Sequence, residues 1–173
     1  SSGDTIQILD NLTSDVNIGE KFLGIDINFD GQNYTLDGLG QYGGFIINDN
    51  SGINQIGMTN LTGQIYSNSH YAGALYNQMG SIDITNSFFT NNSANSGSIN
   101  FGIGGAIYNL SGGTINVDST LFEGNYSGGA SAYGGAIANG YLSSAISTAY
   151  INNSIFKNNY GVADPFGQGG AIY

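Results

Sequence analysis

The chain has 173 residues, a length typical of one domain, and only 8% of them are charged although about 25% is usual. Lys21 and Lys157 are its only cations and its net charge is −10, which excludes binding to nucleic acid or to anionic membrane surfaces, since both need clustered Lys and Arg. It has no Cys, and no stretch approaches the ~20 apolar residues of a membrane helix, so disulfides, thiolate metal sites and transmembrane helices are not expected within it.

The N-terminal part of the chain has short alternating apolar patterns that favour β-strands. Ile6 and Ile8 alternate with polar residues, and so do Ile25, Ile27 and Phe29. Asp30-Gly31 follows as a turn signal. We therefore predict irregular N-terminal rungs over residues 1–60.

Residues 61–173 contain two repeated elements that alternate along the chain. The first is Gly-Gly-Ala-Ile, with three full copies and a looser one at 72–75; the full copies are Gly104, Gly105, Ala106, Ile107; Gly134, Gly135, Ala136, Ile137; and Gly169, Gly170, Ala171, Ile172. The second is Phe-x-x-Asn, represented by Phe89, Asn92; Phe122, Asn125; and Phe156, Asn159. The three Phe residues are 33 and 34 positions apart, so one structural unit repeats at this period.

The residue types of these repeats indicate stacked strands rather than helices. Gly, Asn, Ser, Ile, Phe and Tyr dominate, and they favour strands and turns. A single rung of short strands cannot bury its apolar face, but stacked rungs can. We predict one all-β domain over 1–173, a right-handed parallel β-helix (a β-solenoid) with rungs of roughly 30–35 residues in the repeat region. We expect its last repeat to be truncated at the C-terminus.

Each repeated residue has a place in this predicted solenoid. The three Phe residues form an interior aromatic stack, and Leu75, Ile107, Ile137 and Ile172 form an aliphatic one. The three Asn residues of Phe-x-x-Asn form a ladder of side-chain amides at a bend. The Gly pairs occupy tight corners that need positive φ or close backbone approach. The segments of variable length between Phe-x-x-Asn and Gly-Gly-Ala-Ile, such as 93–103, are predicted to be loops.

The alternation of Gly-Gly-Ala-Ile and Phe-x-x-Asn over residues 70–173 resembles the repeats of the polymorphic outer-membrane proteins of chlamydiae and of other large adhesin-like surface proteins. Residues 27–38 also look like an opening rung of a pectin-lyase-like β-helix. The resemblance implies a β-helical autotransporter passenger that is secreted or displayed at the cell surface, on the outer membrane, for cell adhesion.

The sequence also contains a few residues that are candidates for contact with a ligand. Tyr71, Tyr126, Tyr133 and Tyr160 stand in or near the predicted loops, and exposed Tyr among Asn and Ser suits contact with glycans or proteins. Asp26, Asp30 and Asp37 are candidate Ca²⁺ ligands, although Asp residues that form turns or face solvent are the favoured explanation of this cluster. No other cofactor is expected. His70, the only His, is expected to be an ordinary loop residue.

These features favour a non-enzymatic scaffold whose loops attach to a host-cell or extracellular-matrix protein or glycan. A polysaccharide lyase would need a basic residue beside its acidic Ca²⁺ ligands, and a glycosidase would need a carboxylate pair at a set separation. Two alternatives stay open: a structural subunit of an extracellular filament or matrix that associates end to end, and a polysaccharide-degrading β-helix enzyme or tail-spike fragment.

Overall fold

The protein is all-β, and its strands pair in parallel. The computed structural model describes residues 4–13, 22–23, 27–39, 45–47, 51–54, 57–59, 70–95, 101–140 and 145–173. Within these ranges there are 22 strands and no helix. The all-β class and the parallel pairing predicted from the repeats are confirmed.

The strands are short and follow one another through four sheets. In chain order they are β1 (Asp4–Gln7), β2 (Leu12–Thr13), β3 (Phe22–Leu23), β4 (Ile27–Asp30), β5 (Thr35–Asp37), β6 (Phe45–Ile47), β7 (Ser51–Asn54), β8 (Gly57–Thr59), β9 (His70–Tyr71), β10 (Leu75–Asn77), β11 (Ser81–Thr85), β12 (Phe88–Thr90), β13 (Ser93–Asn95), β14 (Phe101–Ile103), β15 (Ile107–Asn109), β16 (Thr114–Asp118), β17 (Leu121–Glu123), β18 (Tyr126–Tyr133), β19 (Ile137–Asn139), β20 (Thr148–Asn152), β21 (Ile155–Lys157) and β22 (Tyr160–Gln168).

Each sheet collects one strand from successive passages of the chain, which we call rungs. Sheet 1 has the order β1-β4-β7-β11-β16-β20, and sheet 2 has the order β2-β5-β8-β12-β17-β21. Sheet 3 has the order β3-β6-β10-β15-β19. Sheet 4 is built from β9, β13, β14 and β18, with β22 paired to β18. The N-terminal strands therefore continue the same sheets as the regular repeats.

Alternation along each strand puts the apolar side chains on the inside. Ile82 and Ile84 of β11 are fully buried and flank exposed Asp83; Ile115 and Val117 of β16 repeat this pattern one rung on. In β20, Tyr150 is 59% exposed and occupies the outward position that Asp83 and Asn116 occupy in the two preceding rungs. The inward residues of sheets 1, 2 and 3 meet in one core that includes Met58, Leu75, Ile82, Ile84, Phe89, Ile107, Ile115, Val117, Phe122 and Ile137.

The bends between sheets 1 and 2 use residues that tolerate the left-handed backbone region. Asn86, Ser119 and Asn153 have φ of 49°, 50° and 46° at equivalent positions of three rungs. After sheet 2, Asn91 and Asn158 have φ of 54°, and Gly124 has φ of 66°. Asn and Gly are the residues that enter this region at least cost, which explains their abundance in the repeats.

Rung length increases along the chain mainly because one connection becomes longer. In sheet 1, Ile27 pairs with Asp4, 23 positions earlier, whereas Ile115 pairs with Ile82, 33 positions earlier. The difference lies between sheets 2 and 3: β6 begins eight positions after β5 ends, but β15 begins 17 positions after β12 ends. The longer rungs thus carry an insertion between Phe-x-x-Asn and Gly-Gly-Ala-Ile.

This insertion forms sheet 4, so the loop prediction is wrong for much of it. Residues 93–95, 101–103, 126–133 and 160–168 are strands that stack in parallel on the next rung, because regular pairing satisfies their backbone groups. Residues 96–100, also predicted as loop, lie outside the described part. Within β22, a Cβ added to Gly167 would lie 3.2 Å from the carbonyl oxygen of Gly161. Six residues of straight strand would span about 20 Å, so the strand folds back on itself.

Sheet 4 therefore has two layers. We call residues 93–95, 126–128 and 160–162 the outer layer and residues 101–103, 131–133 and 166–168 the inner layer. A Cβ on Gly102 would overlap the carbonyl oxygens of Ala94 and Gly128, so the layers touch backbone to backbone there. Ile103 and Tyr133 of the inner layer form a second core with Tyr108 and Ala138 of sheet 3. The inserted residues cover the outside of sheet 3.

Candidate binding groove

The repeated Phe and Asn residues of Phe-x-x-Asn lie in the interior. The rings of Phe89 and Phe122 have centroids 5.1 Å apart and are nearly parallel, at 7°, and those of Phe122 and Phe156 are 4.7 Å apart at 3°. Asn92 and Asn125 are completely buried. Phe89 and Phe122 are completely buried as well, whereas Phe156 and Asn159 of the last rung are half-buried, so the repeated residues serve mainly as core.

The Asn side chains form a continuous hydrogen-bonded ladder. Asn92 Nδ2 donates to Asn125 Oδ1 at 3.0 Å, and Asn125 Nδ2 donates to Asn159 Oδ1 at 2.9 Å. Each Oδ1 also accepts the backbone N–H of the preceding ladder residue, at 3.1 and 3.0 Å. Each Nδ2 donates in addition to a carbonyl oxygen of the preceding rung, that of Met58 for Asn92 and that of Phe89 for Asn125. The ladder therefore satisfies backbone groups that the bend would otherwise leave unpaired.

A second ladder follows Gly-Gly-Ala-Ile and was not predicted from the sequence. Asn77 Nδ2 donates to Asn109 Oδ1 at 2.8 Å, and Asn109 Nδ2 donates to Asn139 Oδ1 at 2.7 Å. The signal was the Asn two positions after each Leu or Ile of the motif, on the same strand face as that buried residue.

The Gly-Gly corners have separate roles for their two residues. The first Gly of the motif has positive φ, with values of 64° for Gly104, 62° for Gly134 and 70° for Gly169, and glycine adopts this conformation without steric cost. A Cβ on the second Gly would overlap the next rung: on Gly105 it would meet the carbonyl oxygen of Gly135, and on Gly135 that of Gly170. The motif is a packing requirement of the corner.

The four Tyr candidates do not form one site. Tyr126 and Tyr160 are neighbours in the outer layer, with ring centroids 5.0 Å apart, and Tyr160 is 50% exposed. Tyr133 is buried in the second core and lies edge-on to Tyr173 at 5.0 Å, so it offers little surface. Tyr71 contributes backbone to β9, and its side chain lies outside the described residues.

Tyr76 and Tyr108 show how sheet 4 changes the environment of sheet 3. Their rings stack with centroids 5.2 Å apart on the outer face of sheet 3. Burial raises the pKa of the Tyr76 hydroxyl above its usual value near 10.

The weaker candidates from the sequence do not assemble within the described residues. Asp30 lies in sheet 1 and accepts from Gln7 Nε2 at 3.5 Å, whereas Asp37 lies in sheet 2 and accepts the backbone N–H of Leu39 at 2.8 Å. Asp26 and the side chain of His70 lie outside the described part of the chain. In that part, no three His, Cys, Asp or Glu side chains are grouped so as to hold a metal ion.

A groove on the outside of sheet 2 is the candidate binding site. Phe88, Leu121 and Ile155 pair in register on three successive rungs and face outward, opposite the buried Phe column. With the bend residues Asn86, Ser87, Ser119, Thr120 and Asn153 they line an open depression of about 400 Å³. Phe88 and Leu121 are half-buried, and Ile155 is 62% exposed. An apolar stripe of this kind, rimmed by polar residues, is typical of interaction surfaces.

The Ser and Thr hydroxyl groups that line the groove donate their protons to acceptors within the protein. Ser87 Oγ donates to the carbonyl oxygen of Thr85 at 2.7 Å, and Thr120 Oγ1 donates to that of Asp118 at 2.9 Å. Ser119 Oγ donates to Asp118 Oδ2 at 2.8 Å, and Asn153 Nδ2 donates to Asp118 Oδ1 at 2.8 Å. The Asp118 carboxylate is therefore fixed beside the groove. On the other side, Glu123 and Lys157 form an ion pair of 2.7 Å.

The groove offers apolar and neutral polar surface for contact with a ligand. Its eight lining residues have no ionisable side chain. The signal that could have revealed the groove is the apolar residue directly before each repeated Phe. Strict alternation would place a polar residue at that outward position, and in three consecutive rungs it is Phe, Leu or Ile.

The described residues include no helix with the length and hydrophobicity needed to cross a membrane. Compared with known proteins, the chain matches no family model, no curated protein and no solved structure.

Proposed function

We propose that this chain is part of a right-handed, pectin-lyase-like parallel β-helix that serves as a non-enzymatic scaffold, secreted or displayed on a cell surface, and that it attaches to other surfaces in the manner of an adhesin. The observation that carries this proposal is the groove over Phe88, Leu121 and Ile155. It extends over three rungs, and its lining offers apolar and neutral polar contacts without a nucleophile–base pair or a carboxylate pair. The repeated core behind it supplies a rigid support, since parallel pairing and the ladders fix each rung to the next.

The groove replaces the predicted loops as the proposed attachment surface. Much of the segment between Phe-x-x-Asn and Gly-Gly-Ala-Ile is built into sheet 4 and covers sheet 3, so its structural task is clear. The outer face of sheet 2 has no such cover in the described rungs, and its apolar side chains are partly open to solvent. Burial of exposed apolar surface of this kind by a partner makes the free energy of association more favourable.

Attachment is tested with beads coated with the chain and applied to cultured epithelial cells and to extracellular matrix. We expect the coated beads to bind more than albumin-coated beads do, and Leu121→Ser to reduce the binding severalfold because it removes the centre of the apolar stripe. Met79→Ser is the matched control: Met79 is 61% exposed at a turn away from the groove, and its replacement should leave binding unchanged.

The enzymatic alternative predicts a different result. Incubation with polyuronates and neutral polysaccharides should release no oligosaccharide. Released product, or equal bead binding by the wild type and Leu121→Ser with unchanged stability, would contradict the proposed function.

A further inference from the structure

The groove on sheet 2 has a specific chemical character that points to a class of ligand. Resting on the proposed function, we propose that it binds a basic, amphipathic segment of an extended polypeptide, with apolar side chains on the Phe88–Leu121–Ile155 stripe and a Lys or Arg at Asp118.

Hydrogen bonding at the rim of the groove favours a ligand that donates. The hydroxyl protons of Ser87, Ser119 and Thr120 are all donated within the protein, as described above. Ser87 and Thr120 are buried, so the exposed Ser119 hydroxyl and the partly exposed Asp118 carboxylate are the groups that keep acceptor capacity towards solvent. A ligand rich in N–H donors therefore complements this rim, and cationic donors make the strongest bonds to a carboxylate.

The negative charge beside the groove favours a cationic ligand. Asp118 is partly exposed, its two oxygens are held by the neutral groups of Asn153 and Ser119, and no cation pairs with it in the described part of the chain. The chain as a whole has a net charge of −10 with two cations, so its field attracts positively charged partners and repels polyanions.

The floor of the groove suits a polypeptide better than a neutral glycan. The floor has one aromatic side chain, Phe88, and two aliphatic ones, Leu121 and Ile155, and successive rungs lie about 4.8 Å apart. Aliphatic side chains of a peptide fill such a floor well. A neutral sugar chain has hydroxyl donors but no cation to pair with Asp118, so it gains less from this rim than a basic peptide does.

The test uses the full chain and three blocked hexapeptides, each about 20 Å long when extended. The peptides alternate Lys with Leu, Glu with Leu, and Lys with Ser, and a neutral hexasaccharide is the fourth probe. Calorimetry or fluorescence anisotropy measures each affinity at low and high salt. We expect the Lys–Leu peptide to bind best, with binding that weakens as salt increases.

Two Asn substitutions test the role of Asp118. Asp118→Asn should weaken binding of the Lys–Leu peptide by about fivefold, the size of one partly exposed charge pair. The matched control is Asp30→Asn. Asp30 occupies the same column of sheet 1 as Asp118, three rungs away, with Asn54 and Thr85 between them. That separation of about 14 Å exceeds the Debye length in physiological salt, so this control should bind normally.

The outcomes distinguish this inference from the proposed function. If the Lys–Leu peptide does not bind while the beads still attach to cells through Leu121, the basic-peptide inference is wrong and the attachment function stands. Preference for the Glu–Leu peptide or for the hexasaccharide would also overturn the inference. If Asp118→Asn lowers stability, the salt dependence of the wild-type protein decides: binding insensitive to salt would contradict a role for the carboxylate.

Discussion

Replacing Phe122 with Ala is expected to lower the free energy of unfolding by about 3–5 kcal/mol. Phe122 is completely buried, and its ring stacks on Phe89 on one side and on Phe156 on the other. The substitution removes apolar contact on both sides and leaves a cavity that the hydrogen-bonded rungs cannot close. Urea or guanidinium unfolding, followed by far-ultraviolet circular dichroism, measures the change.

Phe88→Ala is the matched control for this prediction. Phe88 lies directly before the repeated Phe of the preceding rung, but its side chain faces the groove and is half-buried. Its loss should cost about 1–2 kcal/mol, because part of its surface is already in water and its removal widens an open groove instead of leaving a closed cavity. Similar losses for the two substitutions would show that the Phe column is not the centre of the core.

The stacked core could be predicted because, in a parallel stack, residues that are one repeat period apart in the sequence lie next to each other in space. Spacings of 33 and 34 positions placed Phe122 between Phe89 and Phe156, and the register of β12, β17 and β21 has this arrangement. The alternation of Ile82, Asp83 and Ile84 in the sequence likewise corresponds to the buried and exposed faces of sheet 1.

Sheet 4 could not be predicted from the same signals, for a physical reason. Its two layers approach through Gly102, Ala94 and Gly128, and small residues have neither the apolar periodicity nor the size that marks a buried strand. Gly-rich segments of variable length are usually loops, so tertiary packing overrode the local indication here. Tyr133 illustrates the consequence: it is buried because the inner layer covers sheet 3.

The insertion also explains why rung lengths in the sequence are irregular although the core is regular. A short rung, as from Asp4 to Ile27, is enough for strands in sheets 1, 2 and 3. The longer rungs, as from Ile82 to Ile115, add sheet 4 between the Asn ladder and the Gly-Gly corner without changing the register of sheet 1. Phe-x-x-Asn precedes this insertion and Gly-Gly-Ala-Ile follows it, so the two motifs mark where the chain leaves sheet 2 and where it enters sheet 3.

Replacing Asn125 with Ala is expected to cost about 3–5 kcal/mol, although the side chain is smaller and more polar than that of Phe122. The change removes both ladder bonds of Asn125 and leaves the backbone N–H of Asn92 and the carbonyl oxygen of Phe89 without these side-chain partners. Both groups belong to a buried bend, where an unsatisfied group costs about 1–3 kcal/mol. Asn116→Ala removes an exposed bond to Asp83 and should change stability by less than about 0.5 kcal/mol.

Asn125→Asp separates the hydrogen bonds from the shape of the side chain. A carboxylate of nearly the same size accepts from Asn92 but cannot donate to Phe89 or Asn159, and burial should raise the pKa of the introduced carboxyl above its usual range. A raised pKa in the folded state means that the protonated form, which regains one donor, is favoured by folding. Relative to the wild type at the same pH, we therefore expect the largest loss of stability near neutral pH and a smaller loss as the pH falls through the raised pKa towards the value of the unfolded chain. A loss of stability that is independent of pH would show that packing, rather than the donated hydrogen bonds, is what the ladder contributes.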